Sequence, residues 1–277
     1  VTASTRFGRL EWSDPRHERD HLRLLTFDSP ALGGRGDVTL FVPPGSQAES
    51  DLPLVLLLHG VYASHWAWAL RGGAHLTALR LIEAGEIPPM VLAMPSDGLW
   101  GQGSGYLPHA GANFERWIVE DVPGCVSAEL PQLSASSPRF IAGFSMGGWG
   151  ALRLGAKYAP LFGGISAHSA LTHLDALDAL VNRDIPYQLE TPEERGVAYW
   201  LERRAPHLPP LRFDCGLEDK YLHDNRALHR RLQGRAIPHA YEEFEGGHTW
   251  AYWAAHLQDT LRFFAGCLPA AGKGEPC

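Results

Sequence analysis

The stretch Gly143-Phe144-Ser145-Met146-Gly147-Gly148 constrains this chain more than any other. It reads G-x-S-x-G, follows the apolar run Arg139-Phe140-Ile141-Ala142, and precedes a helix-compatible stretch from Trp149 to Tyr158. A strand, a sharp turn and a helix, with serine at the apex, is the arrangement in which a strained backbone lifts a serine hydroxyl above a sheet. Glycines two before and two after Ser145 leave room for strand and helix to cross closely. The string alone is weak, because glycine and serine are common. Its flanks make it specific and set it against an ordinary glycine-rich strand–helix turn.

Around that turn the chain alternates strand and helix patterns. Residues 22–27 and 37–42 read as strands joined by the turn-rich 28–34, an antiparallel N-terminal edge. Residues 52–58, 90–94 and 140–143 are continuous apolar runs, as expected of strands buried on both faces. Later strands are expected at 162–167, 211–215 and 239–244. Helices are expected at 74–84, 114–130 (interrupted by Pro123), 151–158, 226–232 and 250–264. The alternation predicts one α/β domain with a mostly parallel central sheet and helices on both faces. Residues 171–210 fit it poorly. They are rich in charge and proline and lie between two strand candidates. They read as a cap or lid inserted over the sheet, with a long solvated connection as the alternative.

At 277 residues the chain can bury a full core without disulfides or metals. The net charge of -7 argues against a nucleic-acid partner. Cys125, Cys215, Cys267 and Cys277 form no C-x-x-C pair, so neither zinc nor thioredoxin-like chemistry is expected. No stretch approaches the length of a membrane span. Residues 1–9 lack the apolar core of a signal peptide, which makes a cytoplasmic location the expectation unless an upstream signal has been removed.

A serine hydroxyl needs an adjacent base to act as a nucleophile. His248, in Glu245-Gly246-Gly247-His248-Thr249-Trp250, follows a strand candidate and opens the last helix. Its place after Ser145 is the chain order the elbow requires. The acid belongs between them. Phe213-Asp214-Cys215-Gly216-Leu217-Glu218-Asp219 supplies three carboxylates. Asp214 lies within the strand, whereas Glu218 and Asp219 follow Gly216 on the turn and compete on position. One oxyanion-hole amide is expected from Met146, the residue after the serine, and another from the loop opening His59-Gly60-Val61-Tyr62. His59 precedes the serine and reads as structural. Trp66, Trp68, Trp100 and Tyr106 are aromatic candidates for a substrate pocket. Trp100 and Tyr106 are favoured because they follow a strand end.

These segments together resemble the Putative esterase family of α/β hydrolases, which includes esterase D (S-formylglutathione hydrolase), feruloyl and acetyl-xylan esterases, and the antigen 85 mycolyltransferases. The resemblance rests on Leu57-Leu58-His59-Gly60, the serine motif, Cys215-Gly216-Leu217-Glu218-Asp219 and Gly246-Gly247-His248-Thr249-Trp250, in the family's order and spacing. It implies an α/β-hydrolase fold and a Ser-His-Asp triad of Ser145, His248 and Asp219. The family's C-G-x-x-D pattern favours Asp219 over Glu218. Val61 and Met146 match the oxyanion amides. The resemblance implies cleavage of a small-molecule ester or thioester without metal or cofactor. Two alternatives stand beside it: an acyltransferase of the mycolyltransferase type, and a hydrolase homologue that binds ligand without catalysis.

Overall fold

The computed structural model describes residues 6–97, 102–181 and 187–269. Its strands are β1 (Leu10–Trp12), β2 (Leu22–Ser29), β3 (Gly34–Phe41), β4 (Leu54–Leu58), β5 (Val91–Pro95), β6 (Pro108–His109), β7 (Ala112–Asn113), β8 (Arg139–Phe144), β9 (Gly164–His168), β10 (Leu211–Gly216) and β11 (Ala240–Phe244). Its helices are α1 (Ala67–Leu70), α2 (Ala74–Glu83), α3 (Phe114–Arg116), α4 (Val122–Glu129), α5 (Met146–Lys157), α6 (Leu174–Asp178), α7 (Ala198–Arg203), α8 (Leu222–Gly234) and α9 (Trp250–Cys267). None of the described helices is long and apolar enough to cross a membrane.

The central sheet runs in the order β1-β2-β3-β5-β4-β8-β9-β10-β11. β1, β2, β3 and β5 pair antiparallel in succession. From β5 to β11 every pairing is parallel. The apolar runs are explained by burial on both faces. Leu54, Leu56 and Leu58 of β4 point into one core cluster, Val55 and Leu57 into the other. The first cluster draws on α4, α5 and α8, the second on α2 and α9. β5 lies to one side of β4 and β8 to the other, so the strand order reverses at β4. In open α/β sheets the crevice beyond the carboxyl ends of strands at such a point is where ligands bind.

The helix expected over 114–130 is continuous rather than broken at Pro123. Proline has no amide hydrogen to donate. The chain accommodates it by widening the preceding turn, Trp117–Asp121, into a π-helix, in which the Val122 N–H reaches the Trp117 carbonyl. The hairpin of β2 and β3 is also tighter than expected, its strands extending into 28–29 and 34–36.

Residues 171–181 and 187–210 are packed against the domain. Leu174, Leu177, Val197 and Leu201 are fully buried. Arg153 of α5 donates to Glu194 of this segment at 2.7 Å and also to Glu115. Both carboxylates are buried. Burial works to raise the Glu115 carboxyl, but the Arg153 charge and hydrogen bonds from Tyr158 and Lys157 hold it below its usual range.

Arg153→Met would leave Glu115 and Glu194 buried without their shared cation. It is expected to lower the unfolding free energy by about 3–5 kcal/mol in urea titration. Arg116→Met, which removes an exposed pair with Glu120, is expected to cost under about 1 kcal/mol.

Candidate active site

Ser145 sits between β8 and α5 with φ 55° and ψ −119°. Positive φ on a non-glycine residue is strained, by about 1–3 kcal/mol. The surroundings enforce it. The Ser145 N–H donates to the His168 carbonyl of β9 at 3.0 Å, and its own carbonyl accepts from the Trp149 and Leu171 amides. A Cβ at Gly143 would press into the Gly147 carbonyl, and one at Gly147 into the Leu58 carbonyl of β4. Only glycines permit this crossing.

Two further loops bring His248 and Asp219 to the serine. His248 Nε2 lies 3.0 Å from Ser145 Oγ, and Nδ1 lies 2.9 Å from Asp219 Oδ2. A carboxylate can only accept, so Nδ1 carries the proton and Nε2 is left to accept from the hydroxyl. Burial works to raise the Asp219 carboxyl. Hydrogen bonds from His248 and the Tyr221 amide outweigh it and hold the group below its usual range. The turn sets the two acids that follow Gly216 in different surroundings. The Asp219 amide closes on the Gly216 carbonyl at 3.0 Å and the Glu218 amide on the Gly246 carbonyl at 2.9 Å. This turns Asp219 inward, while Glu218 is exposed.

His59 fixes the loop after β4. The Asp97 amide donates to His59 Nε2 at 3.1 Å, so Nδ1 bears the proton and donates to the Gly60 carbonyl at 2.8 Å. The Gly60–Val61 peptide is trans, and in a trans peptide the N–H opposes the C=O. The Val61 N–H therefore points away from the His59 ring. The neighbouring Tyr62 N–H is engaged by the Gln102 carbonyl at 2.9 Å. Met146 is the first residue of α5, where amides have no partner within the helix.

The cavity over Ser145 has a volume of about 640 Å³. One wall is aromatic: Phe144 stacks on Trp253 at 4.1 Å, with Trp250 at 4.8 Å from Phe144. Opposite, Tyr62 reaches across and donates its hydroxyl to the Leu180 carbonyl. Arg71 and Lys220 also line the space. The sequence reading missed these residues. Trp250 and Trp253 could have been found from their places two and five residues after His248, on the first turn of α9.

The aromatic candidates fare differently. Tyr106 is fully buried against Gly150 of α5, and its hydroxyl donates to the His59 carbonyl at 2.9 Å. It supports the loop from beneath and does not line the cavity. Trp68 is likewise buried, and Trp66 is partly exposed away from the cavity lining. Trp100 lies outside the described residues. Among the described residues, no three His, Cys, Asp or Glu side chains group so as to hold a metal ion.

A family model described as "Putative esterase" matches residues 29–264. An acetyl esterase of Caldicellulosiruptor saccharolyticus is 24% identical over 88% of this chain and 91% of its own length. Esterase Rv1288 of Mycobacterium tuberculosis is 25% identical over 85% of this chain, which spans 57% of that protein. Among solved structures, a ferulic acid esterase superposes with a TM-score of 0.77 at 23% identity, over 89% of this chain and 98% of its own. The sheet described above is that of the α/β-hydrolase fold.

His168, whose carbonyl anchors the serine amide, belongs to a second cluster behind the site. Its Nδ1 lies 2.8 Å from Asp214 Oδ2 and its Nε2 2.9 Å from Thr260 Oγ1. Arg212 and Tyr252 also donate to Asp214, at 2.7 and 2.8 Å. Burial works to raise the Asp214 carboxyl, but His168 and Arg212 outweigh it and hold it below the usual carboxylate range. A depressed carboxyl stabilises the fold above its unfolded pKa, and that stability is lost as pH falls through the folded value. Asp214→Asn is therefore expected to be less stable at pH 7 by about 3 kcal/mol or more. The gap should persist down to about pH 4 and close below it. Thermal midpoints from pH 7 to 2.5 check this, and a gap independent of pH would contradict it.

Proposed function

This chain belongs to the Putative esterase family and hydrolyses carboxylic esters; from that premise we propose that it works through an acyl-enzyme on Ser145, with His248 as base and Asp219 as its orienting acid. The observation that carries the reading is the unbroken row from Asp219 through His248 to Ser145, at 2.9 and 3.0 Å.

In the proposed reaction Ser145 Oγ attacks the acyl carbon while its proton passes to His248 Nε2. The imidazolium so formed is stabilised by Asp219, which stays ionised. The carbonyl oxygen becomes an oxyanion between the Val61 and Met146 amides. Each such donor is worth about 3–4 kcal/mol of transition-state stabilisation. The His59 ring supports the Val61 assignment, because holding the Gly60 carbonyl fixes the peptide before substrate arrives. The proton on Nε2 then goes to the departing alcohol or thiol, leaving the acyl group on Ser145. Water attacks that ester, gives its proton to Nε2, and the carboxylic acid leaves as Ser145 regains its hydrogen.

The substrate proposed is a small-molecule ester or thioester. The cavity size suits such a ligand, and the acetyl esterase and ferulic acid esterase among similar proteins support it. Residues 171–210 are proposed to cap the site. In support, Leu180 of this segment lines the cavity and is tied to Tyr62 of the oxyanion loop.

A fluorophosphonate probe is expected to label the wild type at Ser145 and to leave Ser145→Ala unlabelled; labelling that persists in the variant overturns the nucleophile assignment. Asp219→Asn is expected to lower kcat by roughly a thousandfold or more, through loss of control over the imidazole tautomer. Glu218→Gln should stay within a few-fold. The opposite ordering in steady-state kinetics would move the acid to Glu218.

A further inference from the structure

The cavity over Ser145 carries two cations, Arg71 and Lys220, and none of the described residues that line it is acidic. Asp219, next to Lys220 in the chain, has its side chain shut off from solvent and is engaged by His248. Both cations are held by aromatic rings that belong to the site. The Arg71 guanidinium stands 5.4 Å from the centre of the Trp250 ring, in the cavity wall. The Lys220 ammonium stands 4.9 Å from that of Tyr221, whose ring meets His248 at 5.0 Å. Such cation–π contacts orient a charge without neutralising it.

Several other surface arginines are closed on carboxylates, and among the described residues exposed ones that are not, such as Arg35, Arg203 and Arg230, lie outside this cavity's lining. Arg16 pairs with Asp14, Arg226 with Glu243 and Arg262 with Glu86, each at 2.6 Å. Arg71 and Lys220 have no such partner among the described residues. In a chain of net charge -7, uncompensated positive charge at the mouth of one cleft focuses anions there.

We infer that the site prefers esters that carry an anionic group, a carboxylate or a phosphate, on the acyl or the alcohol moiety, with Arg71 and Lys220 as the residues that select it. This inference rests on the proposed serine-centred site and adds its substrate class. The aromatic wall takes the apolar body of the substrate, while its anionic end faces the two cations at the rim. Both cations are exposed, so each contributes a moderate factor. An exposed ion pair corresponds to about a threefold to fivefold preference.

The test compares isosteric pairs that differ by one charge. In the alcohol arm, 4-acetoxybenzoate is set against 4-acetoxybenzamide. In the acyl arm, monomethyl adipate is set against methyl adipamate, followed by pH-stat. The readout is the ratio of kcat/KM, carboxylate over amide, in wild type, Arg71→Gln, Lys220→Gln and the double variant. The wild-type ratio is expected to reach about tenfold in at least one arm and to shrink with added salt. It should fall about threefold to fivefold in each single variant and approach one in the double variant. Lys220→Glu should lower it further than Lys220→Gln. A wild-type ratio of one or less in both arms, or a ratio unchanged in the double variant, overturns the inference. Turnover of the neutral amide esters and its loss in Ser145→Ala report separately on the serine mechanism, so the two readings fail independently.

Discussion

The site depends on one steric constraint, the close passage of the Gly143–Gly147 turn over the Leu58 carbonyl at the end of β4. Side chains at Gly143 or Gly147 would occupy backbone that is already there. With glycine at both places, β8 can reverse into α5 within a single residue, and that residue is left at positive φ. The strain at Ser145 is offset by three backbone hydrogen bonds, two of them to other segments and one to α5. The hydroxyl is therefore presented by the sheet itself.

The same reliance on parallel neighbours repeats around the site. Each loop leaves the carboxyl end of a strand and is pinned by the loop of the next. Ser145, after β8, is tied to His168 at the end of β9. Gly216, the last residue of β10, has no room for a side chain because the Gly246 carbonyl, after β11, fills that space. That contact holds the Asp219 loop against the His248 loop. Register is thus the quantity that brings Asp219, His248 and Ser145 within hydrogen-bond distance, although 103 residues separate the serine from the histidine. It also explains why the buried tie between Arg153 and Glu194 matters to the cavity. Arg153 lies on α5, directly behind the elbow, and fixes the segment that supplies Leu180 to the rim.

Much of this was legible in the sequence because backbone demands restrict residue type. The elbow needs glycines, and strands buried on both faces need unbroken apolar runs. Ser145 could be singled out for the first reason and His248 by its place after the serine in chain order, whereas the choice of Asp219 over Glu218 came from a family pattern. What turns Asp219 inward and Glu218 outward is the pair of turn hydrogen bonds after Gly216, which no side-chain preference announces. Tyr106 was misread because an aromatic residue near a strand end carries no mark of which way its ring turns. Here it turns under the loop to meet His59. Pro123 was read as a break because proline disrupts regular α-helix, and the π-turn that absorbs it leaves no signal in composition. The helices of residues 171–210 are too short to show a period. Arg71 and Lys220 were not legible as a pair, since only the fold brings both into the lining of one cavity.

His168 and His248 each share Nδ1 with an aspartate, and the contrast between them shows what separates a structural pair from one suited to the proposed catalysis. In His168 both ring nitrogens are committed, Nδ1 to Asp214 and Nε2 to Thr260, and the ring is wholly buried. A proton arriving there would have no reacting group to move to. In His248 the carboxylate takes Nδ1 in the same way, but Nε2 faces a serine hydroxyl and the side chain remains 18% exposed. That exposed edge is where a leaving group or an attacking water can reach the ring. Asp214 also shares its charge with Arg212, whereas Asp219 has no cationic partner among the described residues except the imidazolium that proton transfer would create. In the proposed mechanism the carboxylate beside His248 would therefore gain most from its partner at the moment the proton moves, and such differential stabilisation lowers a barrier rather than merely tightening a fold.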